Sequence, residues 1–234
     1  MPEPIFVRSE RSDSFALIVI DRLERTAILP LARALTEAEN EPSVRALILA
    51  GAGAFSSVDE LPAELASLLE RSGKPVIGAI AGEASGGGCE LALLCTWRIA
   101  SASAAFSVPG FSKSSGGMLT RLSRQIGSSR ALELILTGEP VGAEEALRIG
   151  LFDRLVGEGG ELLQVCREFA RRLGRNAPLA VRSALAALNY TAESSLAPGM
   201  QRESSLFSSC FATEDFREGV DAFLEKREPV FKGE

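Results

Sequence analysis

Histidine is absent from this chain of 234 residues, and that absence excludes several kinds of catalytic site. Ser-His-Asp and Cys-His catalysis both need an imidazole as general base, and many metal sites need imidazole ligands. Tyrosine occurs only once. Proton transfer in this protein must therefore depend mainly on Asp, Glu, Lys or Cys side chains.

Cysteine is also scarce, and the four cysteines show no paired spacing of the kind that binds zinc. A chain of this size does not need disulfides to fold, so we expect reduced thiols, a cytoplasmic location and no metal. Residues 1–5 show no basic region followed by an apolar stretch, which disfavours a signal peptide. No apolar run approaches the length of a membrane span, so we expect no membrane partner.

Positive charge is in deficit, because the formal net charge is −6 at pH 7. Nucleic-acid binding needs a basic surface that neutralises phosphates, so we expect no nucleic-acid partner. A small anionic ligand remains compatible with this balance, because it needs only a few local cations. The remaining composition, with 46% hydrophobic and 24% charged residues, is typical of a globular protein with a large core.

The first half of the chain alternates between apolar strand-like segments and helical segments. We predict strands at 15–20, 44–50, 75–81, 97–100 and 105–108, with helices at 27–39, 62–71 and 88–95. Helices continue at 117–126, 129–136, 143–149, 161–173, 178–190, 195–211 and 214–227. This order predicts an α/β fold with parallel strands covered by helices, and a more helical C-terminal part. We place the two parts at 1–175 and 176–234.

The segment 82–90 is the most informative part of the sequence, because three adjacent glycines, 86–88, follow the apolar segment 75–81 and precede Glu90. Adjacent glycines are costly in a regular element, so they are most useful where the backbone passes close to something or must leave its amides bare. At a strand-to-helix junction, bare N–H groups lie at the positive end of the helix dipole. That arrangement suits a developing negative charge, such as the enolate oxygen of a thioester.

The chain resembles the enoyl-CoA hydratase/isomerase (crotonase) superfamily over nearly its whole length. The segments that carry the resemblance occur in the family's order, at 47–51 with 54–57, 74–82, 86–92, 136–138 with 143–151, and 222–231. The resemblance implies a ββα spiral core with a helical C-terminal trimerisation region. It also implies acyl thioester substrates of CoA or carrier-protein type, a homotrimer or hexamer, and no cofactor beyond the CoA or phosphopantetheine that is part of the substrate.

Three site residues follow from the resemblance. The two oxyanion-hole amides of the family correspond to Ser57 and Gly87, and one of its two catalytic glutamates corresponds to Glu90. Two N–H donors that converge on one thioester oxygen stabilise the enolate, while the carboxylate moves a proton. The alternatives are a simple turn at Ser57, and at Glu90 a carboxylate that only stabilises the positive end of its helix.

The resemblance also implies contacts with the thioester carrier at Gly86, Phe207 and Lys226. Lys226 corresponds to a position that meets a phosphate in related hydratases, often from an adjacent subunit. A solvated lysine within a charged run is the alternative. Phe207 also fits an apolar trimer core.

The chain departs from the family at three places. Gly110 follows Pro109 where the hydratases have their second glutamate, and Val58 stands where glycine is usual in the first oxyanion loop. The segment 61–74 is short. Substitutes for the missing acid are available at Asp59, Glu60 and Glu83, although each suits an exposed loop charge better.

These departures leave the reaction open. The first hypothesis is a hydratase, dehydratase or isomerase that acts on an acyl thioester with Glu90 as the one retained acid. The second is a specialised biosynthetic, polyketide-type dehydratase or decarboxylase. The third is a catalytically degenerate subunit that stimulates a partner enzyme.

Overall fold

The computed structural model describes residues 7–12, 14–51, 55–56, 60–108, 117–157 and 161–234. The strands are β1 (Val7–Ser12), β2 (Phe15–Ile20), β3 (Ala46–Ala50), β4 (Val76–Ile80), β5 (Glu83–Ser85), β6 (Trp97–Ser101), β7 (Ala105–Ser107), β8 (Val141–Gly142) and β9 (Arg154–Val156). The helices of the first part are α1 (Arg25–Asn40), α2 (Ala63–Glu70), α3 (Gly87–Leu94), α4 (Met118–Ile126), α5 (Ser128–Thr137), α6 (Ala143–Ile149) and α7 (Leu162–Leu173). The last three are α8 (Pro178–Thr191), α9 (Leu196–Cys210) and α10 (Glu214–Glu225).

Six strands form a large sheet in the order β1-β2-β3-β4-β6-β9. The edge pair β1–β2 is antiparallel, and every other pair in this sheet is parallel. All residues of β3 and β4 are buried, which explains why their sequences are continuously apolar rather than alternating. The carboxyl ends of β3 and β4 share one edge of the sheet, so the chain segments that follow them meet there.

A smaller sheet, ordered β5-β7-β8, lies beyond that edge. Strand β4 of the large sheet continues into β5 of the small sheet and then into helix α3. Strand β6 likewise continues into β7, and helix α4 follows. The chain therefore repeats a strand–strand–helix unit, which is the ββα spiral that the resemblance implied, and the predicted α/β fold is confirmed.

Both faces of the large sheet are covered. One face packs against α7, where Phe15, Ile48, Ile77 and Cys166 share a buried cluster. The other face supports a larger cluster that includes residues of α1, α2, α3 and the small sheet. All four cysteines are free thiols, as we expected.

Helices α8, α9 and α10 leave many large apolar side chains exposed. The exposed residues on this part of the chain are Leu188, Leu196, Met200, Phe207, Phe211, Phe216, Val220, Phe223 and Leu224. Side chains of α8, α9 and α10 also line an apolar groove of 520 Å³. Such a concentration of exposed apolar surface is typical of an interaction face.

Candidate active site

The glycine run forms the junction between β5 and α3, and two of its glycines are required by the backbone. Gly86 precedes the helix with φ 55°, in the region that favours glycine. A Cβ atom on Gly88 would lie 1.8 Å from the carbonyl oxygen of Phe55, so no side chain fits there. The start of α3 therefore lies directly against the chain segment that follows β3.

Hydrogen bonds hold this segment beside the glycine run. The Ser85 N–H donates to the Phe55 carbonyl oxygen, with 2.7 Å between N and O. Ser56 and Ser85 form an isolated parallel bridge, and their hydroxyl oxygens lie 3.2 Å apart. Ser57 lies outside the described residues. Ser56, which precedes it, pairs with Ser85, and Ser85 is two residues before Gly87.

Gly87 is the first residue of α3, and it is buried. The N–H groups of the first helical turn have no acceptor four residues earlier within the helix. They also carry the positive end of the helix dipole. The Gly87 amide is therefore suited to bind an anionic oxygen.

Glu90 lies in the first turn of the same helix, and its side chain is buried, with 6% exposure. The Leu61 N–H donates to its carboxylate, with 3.3 Å between Leu61 N and Glu90 Oε2. Burial raises the pKa of Glu90, while the Leu61 hydrogen bond and the charge of Arg121 act in the opposite direction. The charge of Glu60 adds to the increase. A carboxyl group with a raised pKa is suited to exchange protons with a substrate.

Arg121 of α4 was not singled out by the sequence analysis. Its guanidinium forms an ion pair with Glu70 at the end of α2, and the Glu70 carbonyl oxygen accepts a hydrogen bond from Asn189. Since Arg121 also lowers the pKa of Glu90, this ion pair fixes a positive charge near the candidate acid. Glu70 and Arg121 are 51 residues apart, so no local sequence pattern could reveal the pair.

The acids that could substitute for the missing second glutamate are not found buried beside Glu90 in the described part of the chain. Glu60 and Glu83 are both exposed. Asp59, Val58 and Gly110 lie outside the described residues. Glu90 is the only buried acid of the described residues at this junction.

Two of the three predicted carrier contacts, Phe207 and Lys226, lie away from the glycine run. Phe207 is 64% exposed on α9, and its ring meets that of Phe211 edge to face at 5.1 Å. Helix α9 packs principally against α8, whereas α3 packs against α2, α4 and β5. Lys226 is exposed at the end of α10, with a left-handed backbone at φ 56°. The fold thus separates these two residues from the elements that hold Glu90.

Neither a metal site nor a membrane span is found among the described residues. No group of three or more His, Cys, Asp or Glu side chains in the described ranges is arranged to hold a metal ion. Among the described helices, none combines the length and the hydrophobicity that a bilayer-spanning segment needs.

Comparison with known proteins identifies the family. Residues 58–234 match the family model described as enoyl-CoA hydratase/isomerase. The crotonyl-CoA hydratase of Syntrophomonas wolfei is 35% identical over 251 aligned positions, which cover 95% of this chain and 96% of that protein. The 2,3-dehydroadipyl-CoA hydratase of Escherichia coli is 32% identical, with 90% of each chain covered.

Solved structures agree with the sequence matches. A crystal structure of enoyl-CoA hydratase from Bacillus anthracis superposes with a TM-score of 0.89 at 30% identity, and the match covers 98% of this chain and 100% of that one. The fold is therefore the crotonase fold. This chain belongs to the enoyl-CoA hydratase/isomerase family, and it is an enzyme of that type.

Proposed function

We propose that the protein catalyses the reversible addition of water to a 2-enoyl thioester of CoA, with Glu90 as the proton-transfer residue. The observation that carries the proposal is one buried carboxylate three residues after Gly87, in the first turn of α3. Relatives that are named crotonyl-CoA hydratase and 2,3-dehydroadipyl-CoA hydratase support the choice of an acyl-CoA substrate.

The proposed oxyanion hole consists of the Ser57 and Gly87 amides. The pairing of Ser56 with Ser85 and the contact between Phe55 and Gly88 support this arrangement, because they hold the two segments together. Each such donor contributes about 3 kcal/mol to stabilisation of the transition state. Gly86 would let the backbone approach the thioester at the same point.

The proposed reaction uses one proton twice. Glu90, as a carboxylate, takes a proton from water while the water oxygen bonds to Cβ of the substrate. The electron pair of the Cα–Cβ double bond shifts to the bond between Cα and the carbonyl carbon, and the carbonyl pair moves onto the thioester oxygen, where the two amides stabilise the enolate. Protonated Glu90 then delivers the proton to Cα, the enolate collapses to the thioester, and the carboxylate is restored.

A second candidate reaction is the isomerisation of 3-enoyl-CoA to 2-enoyl-CoA. It is favoured by Gly110, which occupies the position of the second acid that the hydratases use to hold water. Isomerisation needs only proton removal at one carbon and return at another, so one acid suffices. Both reactions pass through the same enolate.

We also propose that the protein works as a homotrimer or hexamer. The exposed apolar residues on α9 and α10 support an interface there. Phe207 and Lys226 would then serve a neighbouring subunit, with Lys226 contacting a CoA phosphate as a point charge. The separation of these helices from α3 within one chain is consistent with that role.

The direct experiment follows the loss of enone absorbance when purified protein is mixed with crotonyl-CoA. We expect turnover by the wild type and a loss of about 10²- to 10⁴-fold in Glu90→Gln. Glu83→Gln is the matched control, because Glu83 is an exposed acid near the same junction, and it should retain activity.

Two outcomes would change the conclusion. Conversion of a 3-enoyl-CoA without hydration of crotonyl-CoA would favour the isomerase. No turnover of any enoyl-CoA would contradict a catalytic role and favour an auxiliary subunit.

A further inference from the structure

A polar cavity lies where β3 and β4 begin, whereas Glu90 follows the other end of β4. The volume of the cavity is 290 Å³, and it is lined by residues that precede β3 and β4, together with the start of α8 and the C-terminal tail. Arg45 directly precedes β3, and Lys74 lies two residues before β4. The glycine run follows the other end of β4, so a strand of five residues, about 16 Å long, separates the cavity from the candidate active site.

Four cations line this cavity, and we call them the basic cluster: Arg45, Lys74, Arg182 and Lys232. None of the four forms a salt bridge with a carboxylate in the part of the chain that the structure describes. Arg45 and Lys74 are partly buried, and charges in such positions are normally paired.

Two members of the basic cluster bind only neutral carbonyl oxygens. The Lys74 ammonium donates to the carbonyl oxygens of Ala38 and Glu41, at 2.8 Å and 2.7 Å. The Arg45 guanidinium donates to the carbonyl oxygen of Phe231 at 3.2 Å. These bonds position both groups but do not neutralise their positive charges.

The other two members, Arg182 and Lys232, are exposed and have no described hydrogen-bond acceptor for their side chains. Glu39 is the one acid among the lining residues. Its carboxylate already accepts hydrogen bonds from the Ser72 hydroxyl and the Gly73 N–H, each at 3.0 Å. The charge of Lys232 contributes to lowering the pKa of Glu218, but the Glu218 carboxylate is already paired with Arg227. The cavity therefore keeps an excess of positive charge.

A helix dipole adds to that excess. Leu179 lines the cavity in the first turn of α8, a helix of 14 residues whose N-cap, Ala177, supplies no side-chain acceptor. The positive end of this helix dipole thus points toward the basic cluster. Burial lowers the pKa of Lys74, the charges of Glu39 and Glu41 raise it, and those of Arg182 and Arg45 lower it, so these two cations lie close enough to Lys74 to interact with it.

The remaining walls indicate the kind of anion that fits. Pro42, Val44, Leu173 and Leu179 provide aliphatic surface beside the cations. The volume equals that of roughly ten water molecules, more than a single phosphate requires. A ligand with a phosphate group and an organic body would occupy both kinds of wall.

We propose that this cavity binds a phosphorylated small molecule, whose phosphate contacts Arg182 and Lys232 and whose organic part packs on the aliphatic wall. The ligand is either a free phosphorylated metabolite or the nucleotide end of a CoA molecule other than the substrate. The site stands apart from the catalytic one, so it does not depend on the proposed reaction.

The test uses isothermal titration calorimetry on the full chain, with inorganic pyrophosphate in one arm and adenosine 3′,5′-bisphosphate in the other. Both arms are run at constant ionic strength, and the variants of the basic cluster identify whether a probe binds in the cavity. We expect saturable binding, with Arg182→Gln and Lys232→Gln each weakening it about tenfold. Arg182→Lys should restore most of the affinity.

Arg124→Gln, which removes an exposed cation from α4, is the matched control and should bind like the wild type. Binding of pyrophosphate indicates a free phosphorylated ligand, and binding of the adenosine compound alone indicates a CoA-type nucleotide. The proposal is overturned if neither probe binds, or if all variants bind alike. Thermal melts of each variant establish that a lost affinity is not a folding defect.

Discussion

The backbone amide of Leu61 donates a hydrogen bond to the carboxylate of Glu90, across 3.3 Å and 29 positions of sequence. This bond joins the segment before α2 to the first turn of α3. It holds a buried acid in one orientation while the surrounding apolar core raises its pKa. The fold therefore positions a carboxyl group that can accept and release a proton next to a helix N-terminus that favours negative charge.

Substitution Gly88→Ala tests the close approach of the two segments. The new Cβ would lie 1.8 Å from the Phe55 carbonyl oxygen, so the segment containing Phe55 and Ser56 must move. We expect a destabilisation of about 1–3 kcal/mol, typical of overpacking, together with loss of most activity. Thermal melts and the crotonyl-CoA assay measure the two effects.

Gly82→Ala is the matched control for this experiment, because a Cβ at Gly82 meets nothing within 4 Å. It should retain both stability and activity. Equal effects of the two substitutions would show that the contact with Phe55 does not organise the site.

Substitution Glu90→Gln should stabilise the protein at neutral pH. Because burial raises the folded-state pKa of Glu90 above 4.5, the folded state binds more protons than the unfolded state in the range just above that value. Stability is therefore lost as the pH rises through this range, and a neutral glutamine avoids the loss. We expect a gain of about 1 kcal/mol at pH 7.5, measured by chemical unfolding, and little gain at pH 4.

A pH-independent difference between the two proteins would contradict a raised pKa at Glu90. Glu83→Gln provides the exposed comparison and should change stability little at either pH.

Substitution Arg121→Gln should shift the pH dependence of catalysis. The charge of Arg121 lowers the pKa of Glu90, so its removal should let Glu90 take up a proton at higher pH. The acidic limb of the kcat/KM profile should then move to higher pH, with activity on that limb reduced by a factor of about two to five. Arg124→Gln, on the same helix, is the control, and an unchanged Arg121→Gln profile would exclude the electrostatic link.

Substitution Phe223→Asp tests the interaction face on α10. Phe223 is 82% exposed, and burying it between subunits would contribute about 1.5–3 kcal/mol per side chain. We expect the charged variant to dissociate to smaller species in light scattering. Leu29→Asp is the control, because Leu29 is 78% exposed and belongs to α1 rather than to the C-terminal helices. A monomeric wild type would contradict the proposed oligomer.

The sequence was sufficient for the elements with long apolar patterns. Helix α6 has the predicted limits, 143–149, and β2 has the predicted limits, 15–20. Strands β1, β5, β8 and β9 were not predicted, because they are polar or at most three residues long. Such strands are stabilised by partners distant in sequence rather than by a local hydrophobic pattern.

In the candidate site, too, features with a local sequence pattern could be predicted and features that depend on tertiary packing could not. Glu90 could be identified from a short motif, because a glycine run before an acid has a local physical meaning. The Arg121–Glu70 ion pair and the Leu61 hydrogen bond could not, because both depend on how α2, α3 and α4 pack. The basic cluster likewise joins residues from distant parts of the chain.

The most direct test of enolate chemistry at Glu90 is exchange of the α-protons of butyryl-CoA in D₂O, followed by NMR. This exchange needs an enolate and a proton-transfer group but no attacking water, so it serves for hydratase and isomerase alike. We predict exchange catalysed by the wild type and by Glu83→Gln, and a loss of at least about 10²-fold in Glu90→Gln. Exchange that persists unchanged in Glu90→Gln would contradict the account.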